Sequence, residues 1–253
     1  MLNVRAYLDR IEYTGSLEPS RETLRDLHRA HMFHIPFENL DIALGNKIIC
    51  DEGAFIRKIV ERGRGGFCYE LNSAFAALLR ALGFRVTLLS ARVSRPDGTW
   101  SPEFDHLALR VDLAEPWLAD VGFGDSFAEP LQFETAAEQP QDGRRFRLSH
   151  PDGSFHLEKA DSDGAWKKQY SFTLIPRSLS DFGAMCLYHQ TSPDSHFTQN
   201  RICTKATRGG RITLAERKVI LTRSGKKQET AIASEGEWRA ALKEHFGIVL
   251  EKA

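Results

Sequence analysis

Cys68, His106 and Asp120 are the residues of this chain whose types and order suit nucleophilic catalysis. A thiolate attacks a carbonyl, an imidazole takes and returns the proton, and a carboxylate orients the ring and stabilises the imidazolium. Cys68 follows "RGRGG" (62–66) and opens a run of helical spacing, so it stands where the unpaired N–H groups of a helix start face outward. That position, with Arg62 and Arg64 as candidate nearby cations, is expected to lower the thiol from its usual value of about 8.5. A cysteine flanked by Phe67 and Tyr69 also has an ordinary reading as a buried core residue.

His106 begins the strand-like run "HLALRVDL", and Asp120 ends "WLAD" directly before "VGFG". Adjacent antiparallel strands over 106–113 and 116–121 bring the start of one beside the end of the other, so His106 and Asp120 are expected to meet across the ladder. Each has a structural alternative: a histidine packed at a strand start, and an aspartate forming the turn before Gly122 and Gly124. A helix-borne thiol opposite a strand-borne His–Asp pair is also how papain-like and transglutaminase-like enzymes divide the task.

The elements that must hold these groups follow from periodicity. Leu71, Phe75, Leu78, Leu79 and Leu82 recur at three- and four-residue intervals and Gly83 closes the run, which predicts a core-facing helix with Cys68 in its first turn. Upstream, helices are expected near Val4 to Ile11, after a Ser20 cap, and over Ala54 to Glu61, with Pro36 holding Ile35 extended. From Phe84 the pattern changes to short strands, "FRVTLLSARVS", "DHLALRVDL", "PWLADVGFG", "SFHLEKA" and "KKQYSFTLIP", with hairpin turns at "PDGS" and "DSDG". The β region is expected to end near Ser180. A loop, "HQTSPDSHFTQNRICT", then leads to two strands around "GGRITL" and "RKVILTRSG" and a last helix opened by a capping box, Ser234 to Glu237.

Composition narrows the partners. The 253 residues are 42% hydrophobic and 10% aromatic, enough to bury a real core. Lysine plus arginine (34) balances aspartate plus glutamate (34), so no global field draws the chain to nucleic acid or an anionic membrane, and a small neutral or masked ligand is expected. The charged opening "MLNVRAYLDRIEYTG" and the lack of an apolar run of about 20 residues point to the cytoplasm. Cysteines at 50, 68, 186 and 203 form no CxxC pair and are expected to be free thiols. No metal site is expected: His28, His31 and His34 place only two rings on one helix face.

"PFENLD" (36–41), "RGGFCYELN" (64–72), "DHLALRV" (105–111) and "DVGFG" (120–124) together resemble the arylamine N-acetyltransferases, of the bacterial type. The likeness continues through "LIPRSLSDF", "SPDSHFTQN" and "EWRAALKEHFGI", whereas Glu134 to Arg147 aligns with no family segment. The resemblance implies an α+β fold with a cysteine-protease- and transglutaminase-like core. Its parts are a helical bundle (1–83) carrying the nucleophile, a central antiparallel β-barrel (84–185) carrying His and Asp, and a C-terminal α/β lid (186–253).

By resemblance, Cys68 is the nucleophile, His106 the base and Asp120 the orienting carboxylate. Arg64 and Glu38 form a supporting ion pair and Asn72 a further support. Phe37, Phe123, Gly124 and Phe197 line the substrate pocket. The implied reaction is ping-pong acetyl transfer from acetyl-CoA, through an acetyl-cysteine, to an arylamine, arylhydrazine or arylhydroxylamine, with no metal. Two alternatives stand beside it: a cysteine hydrolase or transglutaminase-like enzyme with the same triad, and a binding module with a structural cysteine.

Overall fold

The computed structural model describes residues 2–250 other than 134, 136, 152, 162 and 224. Helix α1 (Val4–Arg10) starts at Asn3, whose side chain accepts from Ala6 N–H, and α2 (Arg21–His34) starts at Ser20, which caps Thr23 N–H. After Pro36 come a two-residue strand β1 (Phe37–Glu38), a single-turn helix α3 (Leu40–Ala43) and α4 (Glu52–Ile56), capped by Asp51. Helix α4 passes directly into a π-helical turn, Arg57–Glu61. The "RGRGG" loop then packs backbone on backbone: a β-carbon on Gly65 would lie 1.9 Å from the Pro36 carbonyl oxygen, so only glycine fits.

Helix α5 (Cys68–Ala81) is the axis of the helical part. It is buried almost all round, from Cys68 to Leu79, because helices cover one side and a sheet the other. At its end the Phe84 N–H returns to the Leu79 carbonyl at 3.0 Å, closing the last turn.

The sheet comprises β2 (Arg85–Val93), β3 (His106–Asp112), β4 (Pro116–Ala119), β5 (Leu131–Gln132), β6 (Gln139–Gln141), β7 (Arg144–Ser149), β8 (Phe155–Ala160) and β9 (Trp166–Phe172). Its order is β5-β4-β3-β2-β9-β8-β7-β6, antiparallel throughout. The two edges approach each other: the Gln139 side chain on β6 accepts from the Gln132 N–H (2.8 Å) and donates to the Gln132 carbonyl (3.0 Å) on β5. The result is a nearly closed barrel, which leaves little free edge. Alternation along β3 explains its double burial: Leu107, Leu109 and Val111 join the helical core, and Ala108 joins the barrel core of Phe127, Phe146, Leu157, Tyr170 and Phe172.

A 3₁₀ turn (Leu179–Phe182), α6 (Gly183–Thr191) and α7 (His196–Gln199) link the barrel to a second sheet. That sheet runs β1-β10-β11-β12-β13, with β10 (Cys203–Thr207), β11 (Gly210–Leu214), β12 (Lys218–Arg223) and β13 (Lys226–Ala231), and α8 (Glu235–Phe246) packs on it through Trp238, Leu242 and Phe246. Ser234 caps α8 at the Glu237 N–H.

The structure departs from the sequence reading in this last third. Strand β10 starts in the last two residues of the stretch expected to be loop and runs on to Thr207, β13 was not foreseen, and α6 begins where the β region was expected to fade. Every residue of β13 is exposed, so its sequence "KKQETA" carries no inside–outside alternation to read. The segment around 134–147 that aligned with nothing supplies β6 and most of β7. The "PDGS" and "DSDG" turns join β7 to β8 and β8 to β9, with Asp152 and Ser162 outside the described residues.

Candidate active site

Cys68 is the first residue of α5 and only 4% exposed. What places it there is a buried ionic cluster. Glu70 accepts the Phe67 N–H through Oε2 (3.0 Å), fixing the first turn, while its Oε1 receives Lys58 Nζ at 2.8 Å. Lys58 also reaches Asp41 at 2.7 Å, and Arg64 binds Glu38 and Asp41 at 2.8 and 3.2 Å. Burial raises the Glu70 carboxyl to about 7, with Lys58 opposing the shift. Sequence reasoning found Glu38 and Arg64 but not Asp41, Lys58 or Glu70; three acids and two bases at irregular spacing form no motif.

Of the two cations expected beside the thiol, Arg64 is engaged by Glu38 and Asp41. Arg62 and Arg64 line a polar depression of about 900 Å³ together with Asp41, Lys58 and Glu70, and none of the three candidate reacting groups borders it. Burial pushes the Cys68 thiol up, opposite to the direction expected from a helix start, and hydrogen bonding from the Leu107 and Tyr69 backbone opposes that rise.

His106 and Asp120 meet as the strand register dictates. Leu109 pairs with Ala119 and Asp112 with Pro116, so the ladder carries His106 and the residue just past β4 to one end. His106 Nε2 and Asp120 Oδ2 stand 2.7 Å apart, both buried. This contact commits Nε2 and leaves Nδ1 of the ring available. Burial alone raises the Asp120 carboxyl, but His106, the Asn72 side chain and the Gly122 N–H together hold it below the usual carboxylate range.

Asn72, one turn beyond Cys68, ties the helix to these strands. Its Nδ2 donates to Asp120 Oδ1 (2.9 Å) and to the Leu107 carbonyl (2.6 Å), and its Oδ1 accepts the Val121 N–H (2.9 Å). Gly122 completes the junction: a β-carbon there would lie 2.8 Å from Cys68 Cα and 2.7 Å from Asn72 Nδ2.

His28, on α2, attaches that helix to the turn that carries Asp120. Its Nε2 accepts the Asp120 backbone N–H (3.1 Å) and its Nδ1 bonds the Ala128 carbonyl (2.8 Å). Both bonds are satisfied together only by the neutral Nδ1–H tautomer, and burial lowers its pKa to about 4. No sequence signal marks this role, because the partner groups are backbone atoms some hundred residues away.

Cys68 and His106 border one cavity of about 300 Å³. Phe37, Phe123 and Phe197 line it as well; Gly122 is the glycine at the cavity, while Gly124, at a positive φ of 85°, does not border it. Sequence reasoning missed Tyr188 and His189, which α6 adds to the wall, and Asp105 beside His106. His189 Nε2 lies 3.2 Å from Asp105 Oδ1, and its Nδ1 lies 3.3 Å from Ser195 Oγ. Among the described residues no cluster of histidine, cysteine or acid side chains is arranged to hold a metal.

Bundle, near-closed antiparallel barrel and α/β unit, with a thiol on a helix start beside a His–Asp pair, define an α+β fold with a cysteine-protease- and transglutaminase-like core. Comparison with known proteins narrows the class. A family model described as N-acetyltransferase matches residues 20–253. The chain is 35% identical over 277 residues to the arylamine N-acetyltransferase pineal gland isozyme NAT-3 of Gallus gallus, covering 99% of this chain and 96% of that one. Among solved structures, the Salmonella typhimurium arylamine N-acetyltransferase superposes with a TM-score of 0.92 at 31% identity, covering 97% of this chain and 90% of the other. The Mycobacterium marinum enzyme in complex with CoA gives 0.91 at 31% identity, covering 97% and 93%. The chain belongs to the arylamine N-acetyltransferase family and is an acyltransferase.

Proposed function

We propose that the protein moves an acetyl group from acetyl-CoA to an arylamine, arylhydrazine or arylhydroxylamine by a ping-pong route through acetyl-Cys68. The observation that carries this reading is His106, held by Asp120 at 2.7 Å, on the same small cavity as Cys68. CoA is the partner named in the solved M. marinum relative, and arylamines are the acceptors in the relatives' names.

His106 is the base and Asp120 the group that orients it. With Nε2 bound to Asp120, Nδ1 takes the Cys68 proton, and burial of the thiol makes that transfer the route to the thiolate. Sulfur then attacks the thioester carbonyl, backbone N–H groups near Cys68 receive the oxyanion, and CoA leaves with the proton. In the second half the acceptor nitrogen attacks acetyl-Cys68, His106 takes its proton, and the thiol is restored. One thioester replaces another, so positioning supplies most of the catalysis and no metal is required. Phe37, Phe123 and Phe197 give the acceptor ring an apolar wall. Arg64, Glu38 and Asn72 support the start of α5 and the Asp120 carboxylate.

We place this enzyme in the cytoplasm and divide it functionally at 83 and 185 into nucleophile-bearing, base-bearing and covering parts. Among the described residues no helix is long and apolar enough to cross a membrane. Incubation with acetyl-CoA followed by peptide mass spectrometry tests the reading: one acetyl group is expected on Cys68, discharged by added arylamine. An unmodified wild-type Cys68 would overturn it, and an adduct lost to water as fast without acceptor as with it would favour the hydrolase.

A further inference from the structure

Cys50 and Cys186 take no part in the reaction above, yet the fold brings them together. Cys50 stands in the loop between α3 and α4, and Cys186 stands on α6. Cys186 Sγ lies 3.9 Å from the Ile48 carbonyl oxygen, two residues before Cys50, and the two thiols interact. The loop is clasped to the helix next to them: Gln190 accepts the Ile48 N–H at 2.7 Å and donates to the Ile48 carbonyl at 2.9 Å and to the Cys186 sulfur at 3.3 Å. Cys186 is buried (1% exposed), whereas Cys50 is partly open to solvent.

We propose that Cys50 and Cys186 are a hydroperoxide-oxidised dithiol whose disulfide fastens the 44–51 loop to α6. The interaction with Cys186 draws the Cys50 thiol below the usual cysteine range, and the same interaction, with burial, pushes Cys186 up. The accessible sulfur is thus the better thiolate, and the buried one keeps the proton.

In the first step the Cys50 thiolate attacks an oxygen of the hydroperoxide. The O–O bond breaks, the leaving alkoxide or hydroxide takes a proton from water, and Cys50 becomes a sulfenic acid. In the second step the Cys186 sulfur attacks Cys50 sulfur. The S–S bond forms, hydroxide departs with the Cys186 proton as water, and two thiols have lost two electrons to one hydroperoxide.

The consequence reaches the cavity wall, since α6 also carries Tyr188 and His189. A bridge there closes a long loop in the unfolded chain and raises Tm by about 5–10 °C, reversibly with dithiothreitol.

The test is peptide mapping of the full-length protein after one molar equivalent of hydrogen peroxide, in wild type and in Cys68→Ser, which keeps oxidation of the nucleophile apart. The expected product is a Cys50–Cys186 cross-linked peptide in both, with two thiols, of four in wild type and of three in Cys68→Ser, lost to alkylation and recovered on reduction. In Cys186→Ala the Cys50 sulfenic acid should persist and be labelled by dimedone. Cys50 and Cys186 both remaining alkylatable, or either bridging to Cys68 instead, would overturn the proposal.

Discussion

The Asp120 carboxylate accepts from His106, Asn72 and the Gly122 N–H, and its own N–H donates to His28, so no rotation is open to it. An amide cannot accept at both ends of this arrangement. Asp120→Asn should therefore keep the fold but slow acetylation of Cys68 by about 10³-fold or more, measured by single-turnover mass spectrometry. Near-normal rates would remove Asp120 from the proposed triad. His28 acts one bond further out, as a positioning residue. His28→Ala leaves the Asp120 N–H and the Ala128 carbonyl without partners in a buried site, at a cost of about 2–4 kcal/mol in a denaturant titration. His28→Gln restores an acceptor and should recover part of that loss; equal losses in both variants would show that ring packing against Phe75 and Phe127 matters more than the hydrogen bond.

Helix α5 begins where it does because buried charges hold its first turn. Lys58 sits among Glu38, Asp41 and Glu70, so removing it strands acids in the interior. Lys58→Met should cost about 3–5 kcal/mol and lower Tm by roughly 10 °C in calorimetry, because breaking one partner of a buried ion cluster leaves uncompensated charge. A change within about 2 °C would show the cluster to be dispensable. The Gly122 junction is tighter still. Gly122→Ala must shift the strand end or the helix, and the expected result is a larger loss in Cys68 acetylation rate than in stability.

At the scale of the molecule, pH sets two buried groups against each other. His28 has a folded value near 4 against 6.5 unfolded, so the unfolded chain binds the extra proton first and stability is lost as pH falls from 6.5 towards 4, by about 3 kcal/mol. Burial lowers His31 in the same direction. Glu70, raised to about 7 from 4.5, works the other way: the folded state holds its proton longer, and stability falls as pH rises through that window. The histidines prevail, so the urea midpoint should decline below about pH 6.5, and Glu70→Gln should make that decline steeper. A flatter profile in Glu70→Gln would refute the assignment. The C-terminal sheet has its own core around Trp238, which is fully buried and donates to the Ala215 carbonyl at 3.0 Å. Trp238→Ala should cost about 3–5 kcal/mol and expose β10–β12 to hydrogen exchange before the barrel.

By itself the sequence determined what periodicity and local chemistry encode. The helix from Cys68, its closure at Gly83, the caps at Ser20 and Ser234, and the strands bearing His106 and leading to Asp120 follow from apolar spacing and turn residues within a dozen positions. Tertiary structure decided what depends on groups far apart in the chain. The ionic cluster under α5, the His28 bond to Asp120, the Cys50–Cys186 contact and the α6 wall of the cavity join segments whose order carries no sign of their meeting. It also decided the environment of Cys68. A helix start argues for a lowered thiol, but burial, which no stretch of sequence displays, pushes it up, so the proposed reaction must route the proton to His106.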